Sequence, residues 1–107
     1  MNTGDIVILS FPFTDETSFK ARPAVIITET PDYNDTVVCL ITSVIPDTLN
    51  SFQIVLQPDK INNLRAVSVI KVYRIATIEN KKVLSVIGKL NDFQLAEFRQ
   101  KFKSLVD

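Results

Sequence analysis

Arg22 stands in the stretch Lys20-Ala21-Arg22-Pro23-Ala24-Val25-Ile26-Ile27-Thr28, where a polar segment gives way to an apolar, largely β-branched run. The run predicts a buried strand. Pro23 fixes its own φ and biases Arg22 toward an extended backbone. Arg22 is therefore expected where a loop meets a rigid sheet. A guanidinium held there presents a planar fork of donors that suits phosphate oxygens better than it suits packing. Hydroxyls at predicted strand ends extend the set: Thr42 and Ser43 follow the apolar run 37–41, and Ser18 lies in the polar segment before Lys20.

These residues can neutralise charge that develops on a pentacoordinate phosphorus. They cannot take up a proton, because a guanidinium stays protonated near neutral pH. The chain has no histidine, which removes imidazole acid–base chemistry and most zinc sites. The chemistry is thus limited to a nucleophile already in place. A ribose 2′-OH beside its own phosphate is one, and proximity supplies much of the barrier reduction. The competing reading of the same residues is structural, with Arg22 in a surface ion pair and Thr42 bonded to backbone at a strand end.

Other chemistries find little support. No metal-ligand spacing, Walker loop or nucleophile elbow is visible, and no cofactor is implied. Two glycines are too few for a phosphate cradle built of glycine backbone. The carboxylate pairs Asp15-Glu16 and Asp32 with Asp35 fall in predicted loops and read as solvated. The single cysteine, Cys39, excludes an intrachain disulfide and reads as a buried, inert thiol.

The elements that must position Arg22 follow from the pattern along the chain. Residues 6–11 form a first apolar strand closed by Pro12. The segment 13–21 reads as a loop. Phe13 and Phe19 within it either fold back onto the core or offer a ring on which a nucleobase stacks. Residues 24–28 and 37–41 are further strands, separated by the turn-rich 31–35. Phe52, Ile54 and Leu56 alternate with Ser51, Gln53 and Val55, as in a half-exposed strand. After a polar segment, 57–65, come apolar residues at 66–70 and a looser alternation over 72–78. Residues 79–82 break the chain before a last short strand, 83–87, stopped by Gly88. Asn91 with Gln94 predicts a capping box, and Leu90 with Leu95 a hydrophobic staple. Leu95, Phe98, Phe102 and Leu105 then recur at helical spacing. Short strands followed by one helix predict a small, curved antiparallel sheet or barrel with a helical lid. Three strands look apolar on both faces, which makes one such face a candidate oligomer interface.

At 107 residues, the chain is expected to form one domain over 1–107, and its 46% apolar content argues against disorder. Twelve cations balance twelve carboxylates. This weighs against a uniformly basic surface for coating nucleic acid but leaves a local basic patch open. No apolar stretch approaches the ~20 residues of a membrane span, and no signal peptide is visible, so a cytoplasmic location is expected.

Several segments together resemble a known family. They are Gly4-Asp5-Ile6-Val7, Phe11-Pro12-Phe13-Thr14-Asp15, Lys20 with Arg22-Pro23-Ala24-Val25-Ile26-Ile27, Leu40-Ile41-Thr42-Ser43, Ser68-Val69-Ile70, Arg74-Ile75-Ala76-Thr77-Ile78 and Gly88-Lys89-Leu90-Asn91-Asp92. They resemble the MazF/PemK toxins, the ribonuclease halves of toxin–antitoxin pairs, over nearly the whole chain. The resemblance implies an SH3-like barrel of about six or seven short, mostly antiparallel strands with a C-terminal helix, acting as a homodimer. It implies metal-independent cleavage of single-stranded mRNA to 2′,3′-cyclic phosphate and 5′-OH ends, and growth inhibition as the outcome. Arg22 would be the catalytic arginine and Thr42 its hydroxyl partner on the phosphate. Ser18, Phe19, Lys20 and Ser43 would hold substrate, and Tyr73 with Arg74 would form a stacking and phosphate-contact pair, unless Tyr73 is packing and Arg74 solvated. The expected partners are single-stranded RNA and an antitoxin with an acidic, disordered segment. The alternative on the same scaffold is a protein-binding inhibitor like the gyrase-poisoning CcdB relatives, or a catalytically inactive interaction module.

Overall fold

The structure is a computed structural model that describes residues 1–12, 19–31 and 34–107, without the side chains of Phe11, Pro12 and Phe19. The described chain runs β1 (Asp5–Pro12), β2 (Phe19–Glu29), β3 (Asp35–Thr42), β4 (Gln53–Leu56), β5 (Ser68–Glu79), a 3-10 turn (Asn80–Lys82), β6 (Val83–Lys89) and α1 (Asp92–Ser104). The strands form one sheet in the order β4-β5-β3-β2-β1-β6, and every described pairing is antiparallel. A mainly β chain with one C-terminal helix agrees with the pattern in the sequence. Phe13, Ser18 and the pairs Asp15-Glu16 and Asp32 with Asp35 rest wholly or partly on residues outside those described.

Two boundaries differ from the sequence reading, and both matter for the site. First, β2 begins at Phe19, so Lys20 and Arg22 lie within a strand rather than in a loop before it. The β1 ladder recruits them: Pro12 pairs with Phe19, Phe11 with Lys20, and Leu9 with Arg22. Second, residues 66–70 and 72–78 are not two strands. β5 is one strand of 12 residues that bends sharply. Between the pairs Cys39–Ile75 and Ile41–Ile70, β3 advances two residues while β5 advances five. The extra residues form an irregularity in the β3 ladder, and beyond it Val69 and Ile70 pair with β3 on one side and β4 on the other.

Alternation along β1, β2 and β3 feeds two apolar clusters, one on each face of the sheet. Ile6, Val25, Cys39 and Ile41 join Ile54, Leu56, Ile70, Val72, Leu90 and Phe98, with Leu95 and Phe102 of α1 packed alongside. Val7, Leu9, Ala24, Ile26 and Val38 form the second cluster, covered by Leu40, Ala76, Ile78 and Val83. The doubly apolar strands are thus buried within the chain itself on both faces, and β5 and β6 supply the cover.

The C-terminal helix forms as its local sequence dictates. The Asn91 side chain accepts from the Gln94 N–H at 2.8 Å, and the Gln94 side chain accepts from the Asn91 N–H at 3.0 Å, completing the capping box. Phe98 is fully buried and packs tilted against Phe102, with ring centroids 6.1 Å apart. Gly4, at φ 91°, brings the entry to β1 against this helix. A Cβ there would come within 2.8 Å of Leu95 Cδ1. No helix among the described residues is long and apolar enough to cross a membrane.

Candidate functional site

The site originates in the way the β2–β3 ladder ends. Its last pair is Ala24 with Leu40, although β2 starts five residues earlier and β3 runs on to Thr42. Pro23 lies just beyond that pair, and a proline has no N–H to donate. Past this point β2 follows β1, while the end of β3 follows β5 through the pairs Ile41–Ile70 and Thr42–Val69. Continuing the antiparallel register two residues past Ala24–Leu40 sets Arg22 across from Thr42, on the same face as Ala24 and Leu40.

Arg22, half-buried, lines two adjoining cavities. The smaller, about 330 Å³, is bounded by Arg22, Leu40, Thr42, Lys71 and Arg74 among others. The larger, about 700 Å³, is bounded by Arg22, Pro23, Ser43, Asn63, Arg65 and Ser85 among others. Both fall within the roughly 300–1,000 Å³ typical of ligand sites. Their described walls carry four cations, Arg22, Arg65, Lys71 and Arg74, and no carboxylate. Overall neutrality therefore conceals a local positive field on one concave surface. Arg65, Lys71 and Arg74 make no ion pair with any described residue.

Thr42 is prepared for donation. Its Oγ1 accepts a hydrogen bond from the Val44 N–H at 3.1 Å. With that lone pair engaged by backbone, the hydroxyl proton can be offered to an anion in the smaller cavity. The bond to backbone expected of a strand-end threonine is therefore present, in a residue that shares the smaller cavity with Arg22.

The remaining expected residues are distributed unevenly. Ser43 lines the larger cavity and Arg74 the smaller one. Lys20 is exposed on β2 beside Phe11 of β1. The backbone of Phe19 pairs with Pro12, and its side chain lies outside the description. Ser18 lies outside the described residues. Tyr73 borders neither cavity, and its hydroxyl accepts from Gln53 Nε2 at 3.1 Å. Cys39 is buried in the core, donates its S–H to the Val72 carbonyl at 3.2 Å, and has its thiol pKa pushed up to about 12 by burial. Among the described residues, no three His, Cys, Asp or Glu side chains gather as a metal site would require.

Sequence reading missed Arg65, Asn63, Lys71 and Ser85. Arg65 carried a signal: like Arg22, it is a cation just ahead of a buried strand, in Leu64-Arg65-Ala66-Val67-Ser68-Val69-Ile70. Its approach to Arg22 is a matter of tertiary fold and has no local signature.

No curated protein matches the sequence significantly. Among solved structures, the MazF of a MazE–MazF complex from Deinococcus radiodurans superposes with a TM-score of 0.77 at 19% identity, covering 99% of this chain and 95% of that one. The Mycobacterium tuberculosis toxin MazF-mt6 superposes with a TM-score of 0.73 at 24% identity, covering 96% of each chain. An endoribonuclease from a mycobacterial species, in complex with its cognate antitoxin, gives 0.74 at 10% identity, covering 99% of this chain and 94% of that one. At such identities the superpositions speak for the fold. The family itself is fixed by sequence: residues 2–106 match the PemK-like, MazF-like toxins of type II toxin–antitoxin systems, and the chain belongs to that family.

Proposed function

We propose that the protein is an endoribonuclease that cleaves single-stranded RNA at the ridge where the two cavities meet. The observation that carries this reading is that Arg22 and Thr42 border one concave surface whose described walls hold cations and no carboxylate. An RNA strand laid across it sets a phosphate against Arg22. The 2′-oxygen of the preceding ribose attacks that phosphorus, and the P–O5′ bond breaks. The products are a 2′,3′-cyclic phosphate and a 5′-OH. The 2′-OH proton passes to solvent and the departing oxygen takes one up from solvent. Arg22 and the Thr42 hydroxyl stabilise the extra charge on the equatorial oxygens. Adjacency of nucleophile and phosphorus does the rest. The residues at hand require no metal for this step.

A growth-inhibiting enzyme of this kind needs restraint. An antitoxin bearing an acidic, disordered segment suits the same cationic surface. The exposed Leu84 and Val86 on edge strand β6 support a homodimer.

The test is Arg22→Ala. Arg22 pairs through backbone with Leu9, so the fold should persist. Cleavage of RNA in the presence of a chelator should drop about 10²–10³-fold, the usual cost of one lost oxyanion donor. Mass spectrometry of the wild-type products should show cyclic phosphate ends. RNA cleavage and growth inhibition at wild-type levels in the variant would overturn this assignment.

A further inference from the structure

Arg65 is held with unusual firmness for an exposed residue in a connecting segment. The segment 57–67 is tied by its own side chains. Asp59 Oδ1 accepts from the N–H groups of Ile61 and Asn62, at 2.8 and 2.7 Å. Asn62, fully buried, accepts at Oδ1 from the N–H groups of Asp59 and Leu64, at 3.0 and 2.9 Å. Its Nδ2 donates to the Gln57 carbonyl at 2.8 Å. The residues on either side of Arg65 are thereby fixed: the Leu64 N–H by Asn62, and the Ala66 carbonyl by Ser68 Oγ at 2.8 Å.

The segment is also fastened to β6. The Lys89 N–H donates to the Ile61 carbonyl at 3.0 Å, and Asn63 Nδ2 donates to the Ile87 carbonyl at 2.6 Å. Asn63 itself adopts the left-handed conformation, φ 53°. Gly88 permits the contact, since a Cβ there would lie 2.7 Å from the Asn62 backbone. The network leaves the Arg65 backbone little freedom, although its side chain is exposed and borders the larger cavity, while Lys71 and Arg74 border the smaller and Arg22 borders both. A cation whose backbone is fixed in this way enters the cavity from a defined point, and only its side chain remains to be ordered on binding.

Building on the ribonuclease reading, we infer that Arg65 is a phosphate-binding, register-setting residue on one flank of the scissile bond, with Lys71 and Arg74 serving the other flank. The substrate is then an RNA with phosphates on both sides of the cut.

The experiment uses an RNA oligonucleotide that the wild-type protein cleaves, prepared as a series with one neutral methylphosphonate at each flanking linkage in turn. Cleavage is followed for the wild type, Arg65→Ala, Arg65→Lys and Arg74→Ala. In the wild type, one replacement on each flank should lower kcat/KM about 10- to 100-fold, as expected for a lost charge-assisted contact. Arg65→Ala should be indifferent to its own linkage and remain sensitive to the opposite one. Arg74→Ala should show the mirror pattern, and Arg65→Lys should recover part of the sensitivity. The inference is overturned if Arg65→Ala keeps full sensitivity to every linkage, or if Arg65 and Arg74 couple to the same one. A wild-type protein that cleaves no RNA overturns the ribonuclease reading itself, and the ligand assigned to Arg65 with it.

Discussion

The two ends of β2 belong to one continuous strand and are surrounded differently. From Ala24 to Ile26 the strand lies between β1 and β3, hydrogen-bonded on both sides and fully buried. From Lys20 to Pro23 it keeps β1 and gives up the ladder to β3, and here Arg22 reaches two cavities. The contrast shows how a small sheet can carry a site without a long loop: one flank of a central strand is released while the other stays paired, so the functional residue inherits the stiffness of the core. Chain segments with exposed backbone bonds usually open first. Arg22 avoids this because the β1 ladder continues past it to Phe19.

The comparison breaks if the two ends cannot be perturbed separately. The largest expected effect is at the closed end, where Ile26→Ala removes a fully buried side chain. It should cost about 2–5 kcal/mol of stability, read from urea unfolding, while the folded fraction keeps its rate of RNA cleavage. A parallel loss of rate would show that the open end depends on packing beneath it. At the open end, Thr42→Val keeps the shape and loses the hydroxyl. Cleavage should fall about 10- to 100-fold, and Thr42→Ser should restore most of it. An unchanged rate in Thr42→Val would remove Thr42 from the chemistry and leave Arg22 alone on the phosphate.

A third effect is a pH dependence from the closed end. Cys39 pairs with Val25, and burial raises its thiol from the ordinary 9.0 to about 12. Below pH 9 both folded and unfolded thiols are protonated, so this group favours neither state. Between pH 9 and 12 the unfolded thiol ionises and the folded one does not, so stability should fall as pH rises through that window. The difference in unfolding midpoint between wild type and Cys39→Ala, followed over this range, isolates the thiol from lysine and tyrosine titration. A native thiol that reacts quickly with a disulfide reagent at pH 8 would mean that the closed end opens readily.

What could be read from the sequence divides along the same line. The helix was legible because its determinants are local: Asn91, Gln94, Leu95 and Phe98 lie within one or two turns. The apolar runs of β1, β2 and β3 were legible for the same reason, whereas Arg22 and Thr42 were named as partners only with the family resemblance, and the fold sets both on the smaller cavity. The unity of β5 was not legible, because Lys71 and Arg74 interrupt its apolar pattern where the ladder to β3 lapses. The extension of β2 to Phe19 was hidden because a polar run beginning near a proline looks like a loop until the first strand is laid beside it. Arg65 was passed over as part of a polar connection, since only the fold brings it and Arg22 to a shared cavity.

Pro23 has a wider consequence. Most residues in its place would bring an amide hydrogen, and the pairing of the second and third strands could then zip onward past Ala24, drawing the two chains together. The crevice would narrow from its floor upward, with no change to any side chain that faces it. The missing hydrogen thus removes one of the bonds that would close the crevice along the ladder.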